Sequence, residues 1–96
     1  MPLTVVKKLA FTLKAGGKEV SEIEVRPSTM QDVLDAEREA SPMHPNAFNL
    51  QMACRQIVRA GDFAGPFAPG TFAQLRPKQF NAIADAMREA DELGEA

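Results

Sequence analysis

The sequence predicts an α+β domain, an N-terminal β-hairpin followed by three main α-helices packed on one another and on the hairpin. Three observations carry this. Apolar and polar residues alternate on either side of a glycine pair, the alternation gives way to a period near 3.6 across Arg26-Pro27-Ser28, and two further helical repeats follow, with prolines before each.

The hairpin is expected over about residues 5–26. Leu9, Phe11 and Leu13 alternate with Ala10, Thr12 and Lys14, and Ser21, Ile23 and Val25 alternate with Glu22, Glu24 and Arg26. Ala15-Gly16-Gly17-Lys18 lies between the two runs, and glycine supplies the positive φ angles of a tight hairpin turn. Val20 breaks the parity of Ile23 and Val25. Either a bulge follows the turn or Val20 packs on the opposite face.

Pro27 holds Arg26 extended and ends the strand. A first helix is expected over about 29–40, capped by Ser28 with Gln31 as capping-box partner or by Thr29 with Asp32 close to the helix N-terminus. Met30, Val33, Leu34 and Glu37 follow at helical spacing, giving one apolar face with Met30 in the core.

Ser41-Pro42-Met43-His44-Pro45 cannot continue a helix, because two prolines restrict the residues before them. Asn46 is a good N-cap for a second helix expected over about 47–60, with Ala47, Leu50, Cys54, Ile57 and Val58 on its stripe and Gly61 as its stop. Phe48 and Met52 fall off that stripe, so the helix is apolar over a broad arc. Asp62 to Gly70 is rich in Gly, Pro and Ala and carries Phe63 and Phe67, two rings that are costly to leave in water. The segment either folds back as a lid over the core or offers part of a docking surface, and the lid is the simpler reading. A short helical turn follows at Thr71 to Leu75. Pro77 then opens a third helix over about 77–93, with Phe80, Ile83, Ala84, Met87 and Ala90 on its faces. Glu89, Asp91 and Glu92 fall at the negative end of its dipole, which favours fraying of the last turn.

A chain of 96 residues makes one domain, 1–96, and buries only about two-thirds of the surface its unfolded form exposes. A core this small is often completed by a partner or by further copies of the chain, as a homo-oligomer. With 45% hydrophobic and 25% charged residues the composition is that of a globular domain. No apolar run approaches the roughly 20 residues of a membrane span, and the N-terminus lacks a signal-peptide apolar region, so a cytoplasmic location with no membrane partner is expected. The single cysteine leaves no internal disulfide framework. Lys7, Lys8, Lys14 and Lys18 make the first twenty residues basic, whereas Asp85, Glu89, Asp91, Glu92 and Glu95 make the last twenty acidic. Phosphate binding usually recruits more Lys and Arg, interleaved with more aromatics than Phe11 alone, so nucleic acid is not the expected partner.

No catalytic, cofactor-binding or metal-binding residue is expected, and the chain reads as a non-enzyme. His44 is the only histidine and lies between prolines; Cys54 sits on an apolar stripe with nothing local to lower its pKa. Asp32, Asp35 and Glu37 read as the wet face of a helix, without the histidines of a metal site. Gly16-Gly17 lacks the spacing and the Lys-Ser/Thr ending of a phosphate loop. Five Met and six Phe without Trp or Tyr form an adaptable apolar inventory of the kind promiscuous binders use. Met43, Phe48, Met52, Phe63 and Phe67 are the candidate partner-binding residues, while Met30 and Met87 are assigned to the core.

The basic, apolar opening strand, the G-K-E-V-S-E-I-E-V-R-P run from Gly17 to Pro27, the helix D-V-L-D-A-E from Asp32 to Glu37 and the L-R-P-K-Q-F-N run from Leu75 to Asn81 together resemble the small tail assembly chaperones of Mu-like and P2-like contractile-tailed phages. The similarity covers most of the chain and departs at F-A-G-P-F-A-P-G-T, Phe63 to Thr71. It implies a chaperone that binds apolar helical segments of the phage tape measure protein until tail-tube subunits polymerise around it, in the cytoplasm of the bacterial host and absent from the mature virion. It also implies a longer frameshifted form of the same chain as a second partner. The reading from a different class is a small nucleic-acid-binding regulator using the basic hairpin, and a third is a subunit retained in the virion.

Overall fold

The computed structural model of the chain describes residues 3–95. Its elements are β1 (Val5–Ala15), β2 (Lys18–Val25), α1 (Met30–Glu39), α2 (Pro45–Gln56), β3 (Ile57–Ala60), β4 (Phe63–Ala64), α3 (Gly70–Ala73) and α4 (Pro77–Glu95). The fold is α+β: the four strands form one antiparallel sheet in the order β1-β2-β3-β4, and the helices cover one of its faces.

Gly16 and Gly17, with φ of 61° and 80°, form the two-residue turn that pairs Ala15 with Lys18, and residues with side chains adopt such angles only at a cost. Farther from the turn the ladder is irregular. Lys8 lies opposite Glu22 and Leu13 opposite Val20, so Leu9 to Thr12 face Ser21 alone. This shift accommodates the parity break: Val20 is half-buried and pairs with buried Leu13.

The second helix is shorter than its periodicity suggests. It begins at Pro45, with exposed His44 rather than Asn46 at the N-cap position, and it ends at Gln56. Ile57 to Ala60, expected as its last turn, instead form β3. The sequence pattern misleads here because buried Ile57 and Ala60 fit an i, i+3 helical repeat as well as they fit a bulged strand. Ile57 pairs with Val25, Arg59 with Glu24 and Ala60 with Ile23, so Val58 is the extra residue and projects outward, 40% exposed. The outer edge of β2 needs a partner, and the β-branched Ile57 and Val58 suit one. Arg26 N–H also donates to the Gln56 carbonyl at 3.0 Å, which continues the pairing past the end of β2.

The core lies between the inner face of the sheet, with Leu13, Ile23, Val25 and Ile57, and the helices, with Met52, Cys54, Phe72, Ile83 and Met87. Ala36, Ala53, Ala86 and Ala90 are all fully buried; these small side chains let helices and sheet approach closely. On the solvent face of the sheet Arg59 pairs with Glu22 at 3.1 Å and Glu24 at 2.8 Å. Glu24 also accepts from the Thr4 hydroxyl at 2.7 Å; this bond first, and Arg59 second, hold its carboxyl below the usual carboxylate range.

Candidate partner-binding surface

A capping box and an ion pair fix the start of α1. Thr29 is the N-cap, and its hydroxyl accepts from the Asp32 amide while the Asp32 carboxylate accepts from the Thr29 amide at 2.9 Å, a reciprocal capping box. Gln31, the capping partner open to Ser28, instead donates to Asp35. Asp32 is buried because Arg26 grips it in a two-pronged pair at 2.7 and 2.9 Å, and the same guanidinium donates to the carbonyls of Pro27 and Arg55. The Arg26 guanidinium is the largest influence lowering the Asp32 pKa, with the Thr29 amide and hydroxyl adding to it against the opposing effect of burial.

With Asp32 and Ala36 turned inward, residues two positions away point roughly 200° around the helix. Met30 and Leu34 therefore face solvent, 69% and 47% exposed, and the expectation of Met30 in the core is corrected. Val33 stays half-buried against the core. The helical spacing of the apolar pair suits an inner face; the capped, paired Asp32 takes that face instead.

The five candidate binding residues do not form one surface. Met43, in the turn after α1, is 86% exposed. Phe48 is half-buried against the core. Met52 and Phe67 are each only 7% exposed, which places them in the core. Met52 is covered because α2 is wrapped over a broad arc, with Met52, Ala53, Cys54 and Gln56 all buried. Phe67 lies edge-on to buried Phe72 at 5.6 Å, and Phe63 packs against Phe67 from outside, its ring tilted by 50° at the same separation. Phe67 thus acts as the lid. Phe63 belongs to the short strand β4, lies over Gly16 and remains 44% exposed.

Cys54 is buried, and burial pushes its thiol up against the opposing charge of Arg55. Among the described residues no group of three or more His, Cys, Asp or Glu side chains is arranged to hold a metal ion, and no helix is long and apolar enough to cross a membrane. Two of the acidic residues of α4 are held: Glu89 pairs with Lys7 at 3.1 Å, and Asp91 accepts from Ser28 and from Gln56.

A second surface lies at the open edge of the sheet. β1 and α4 run antiparallel, with Lys7 beside Glu89, and between them is a groove of about 550 Å³. Its floor includes Leu9, Phe11 and Ala82; Lys7 and Lys8 line it from β1, and Arg76 and Lys78 from the start of α4. No sequence pattern marks this site, since its cations come from segments about seventy residues apart.

The described surface of this α+β domain thus carries exposed methionine and leucine on one side and a basic-rimmed apolar groove on another. Residues 9–96 match the family model described as tail assembly protein gp41, of the Mu type, and the chain belongs to this family. No curated protein and no solved structure matches the chain.

Proposed function

We propose that this tail assembly protein is a non-enzymatic chaperone that binds apolar helical segments of the tape measure protein before the tail tube polymerises. The observation that carries the reading is the outward apolar face of α1. Met30 and Leu34, one helical turn apart, are held in solvent by the inward pairing of Asp32. Such a pair would normally be buried, and a flexible methionine with a leucine can repack against varied apolar sequence. Exposed Met43 stands in the turn that follows. An amphipathic target helix laid along α1 would cover these side chains, while exposed Glu37, Arg38 and Glu39 keep the complex in solution. The chain would act in the cytoplasm of the bacterial host and be absent from the finished particle.

The test is co-expression with the tape measure protein of the same phage. The chaperone reading expects the tape measure to move from the insoluble to the soluble fraction and to be recovered with this chain, and purified particles to lack the chain. A tape measure equally insoluble with and without it would refute the reading.

A further inference from the structure

We propose that the groove between β1 and α4 is a docking site, separate from the α1 face, for an acidic amphipathic helix of a protein partner. Its apolar side chains would lie on Leu9, Phe11 and Ala82, and its carboxylates would meet Arg76 and Lys78 at one end of the groove, with Lys7 at the other.

Charge complementarity names the occupant. Lys7 already pairs with Glu89, but Arg76 and Lys78 have no carboxylate within ion-pair distance among the described residues, and both are exposed. No acidic residue lines the groove. Leu9 and Phe11, on the inner face of β1, are only half-buried, so the edge of the core is open at this point.

The strand geometry favours a helix over an added strand. Leu9 to Thr12 lie in the irregular stretch of β1, and a bulged strand bends and twists. Its outer edge therefore lacks the straight ladder that strand addition requires. From Lys7 to Phe11 the groove runs about 13 Å at most, the length of roughly two and a half helical turns. A helix with a short apolar stripe flanked by acids fits that span.

The assay uses two fluorescein-labelled peptides, stapled so that a short helix is stable. Both carry leucines at i, i+3, i+4 and i+7; one has glutamates at its ends and the other lysines. Fluorescence anisotropy with the purified full chain should show the glutamate peptide binding roughly tenfold more tightly, with the preference shrinking at high salt. The double variant R76E/K78E should lose that preference, because both residues are exposed and unpaired and the melting temperature should not move. The variant K14E/K18E, with charges reversed outside the groove, should keep it. Equal binding of the two peptides, or a preference that survives R76E/K78E, would overturn the proposal. So would a chain that dimerises without peptide and is made monomeric by R76E/K78E, since the occupant would then be a second copy. Tighter binding of a single-stranded DNA oligonucleotide at the same site would likewise assign the groove to phosphate. The assay contains no tape measure protein, so its failure leaves the chaperone reading to its own test.

Discussion

One carboxylate oxygen of Asp91, late in α4, accepts from both the backbone amide and the hydroxyl of Ser28, at 2.7 and 2.9 Å. The same oxygen takes the Gln56 side-chain amide at 3.3 Å, and that amide also donates to the Arg26 carbonyl at 3.1 Å. Three joints of the fold meet here: the exit of β2, the exit of α2 and the end of α4. Gln56 is 1% exposed, and the network satisfies it.

From that convergence, Asp91→Ala should destabilise the protein by about 1 to 3 kcal/mol, because it strips partners from the buried Gln56 amide and from the Ser28 amide together. Glu92→Ala, one residue on and exposed, should change stability by no more than about 0.5 kcal/mol. Asp91→Asn keeps an acceptor oxygen and should fall between them. Urea denaturation midpoints of the three variants check the ordering, and equal midpoints for Asp91→Ala and Glu92→Ala would contradict it.

The Arg26–Asp32 pair leads to a pH prediction. Arg26 lowers the carboxyl pKa of Asp32 in the folded chain, so the pair stabilises the fold fully above the unfolded carboxylate pKa near ~3.9 and loses that contribution as pH falls through the lower folded value. Asp32→Asn should therefore cost about 2 to 3 kcal/mol at neutral pH, and the gap to the wild type should close below about pH 4. Stability measured on both proteins from pH 7 to pH 2.5 checks the sign. A gap that widens on acidification would contradict the assignment.

Cys54 should react slowly with a thiol reagent in the native protein. It is 3% exposed, and burial raises its thiol pKa, so both access and thiolate fraction are low. Labelling should accelerate through the urea transition and follow the unfolded fraction. Native labelling at the rate of the denatured chain would contradict the burial of this face of α2.

The hairpin and its junction with α1 are legible in the sequence because they are written in local chemistry: glycines with positive φ at the turn, period two in the strands, and Pro27 followed by a capping residue. The end of α2 is not, since Ile57 to Ala60 satisfy a helical repeat and only their pairing with β2, more than thirty residues earlier, makes them a strand. The rotation of α1 is hidden for a similar reason. Asp32 reads as solvated until Arg26 is seen to grip it, and with Asp32 and Ala36 inward Met30 and Leu34 meet water. Of the candidate binding residues, Met43 could be placed at the surface from its proline-flanked loop, whereas Met52 and Phe67 owe their burial to packing over a broad arc and to Phe72, and the shared loop of Phe63 and Phe67 could not tell the exposed ring from the buried one.

Exposed and buried apolar residues should therefore separate cleanly between binding and stability. Met52→Ala and Phe67→Ala remove side chains from a packed core and should each cost about 2 to 5 kcal/mol, with any loss of tape measure recovery following the loss of folded protein. Met30→Ser, Leu34→Ser and Met43→Ser change side chains already in solvent, so the melting temperature of the triple variant should stay close to that of the wild type. Its recovery of co-expressed tape measure protein should nonetheless fall severalfold, because residues that are apolar, exposed and flexible contribute to a helix-binding surface without contributing to the core. Thermal denaturation and pull-down on the same preparations decide the matter. A well-folded triple variant that recovers the tape measure as fully as the wild type would remove the α1 face from the binding surface.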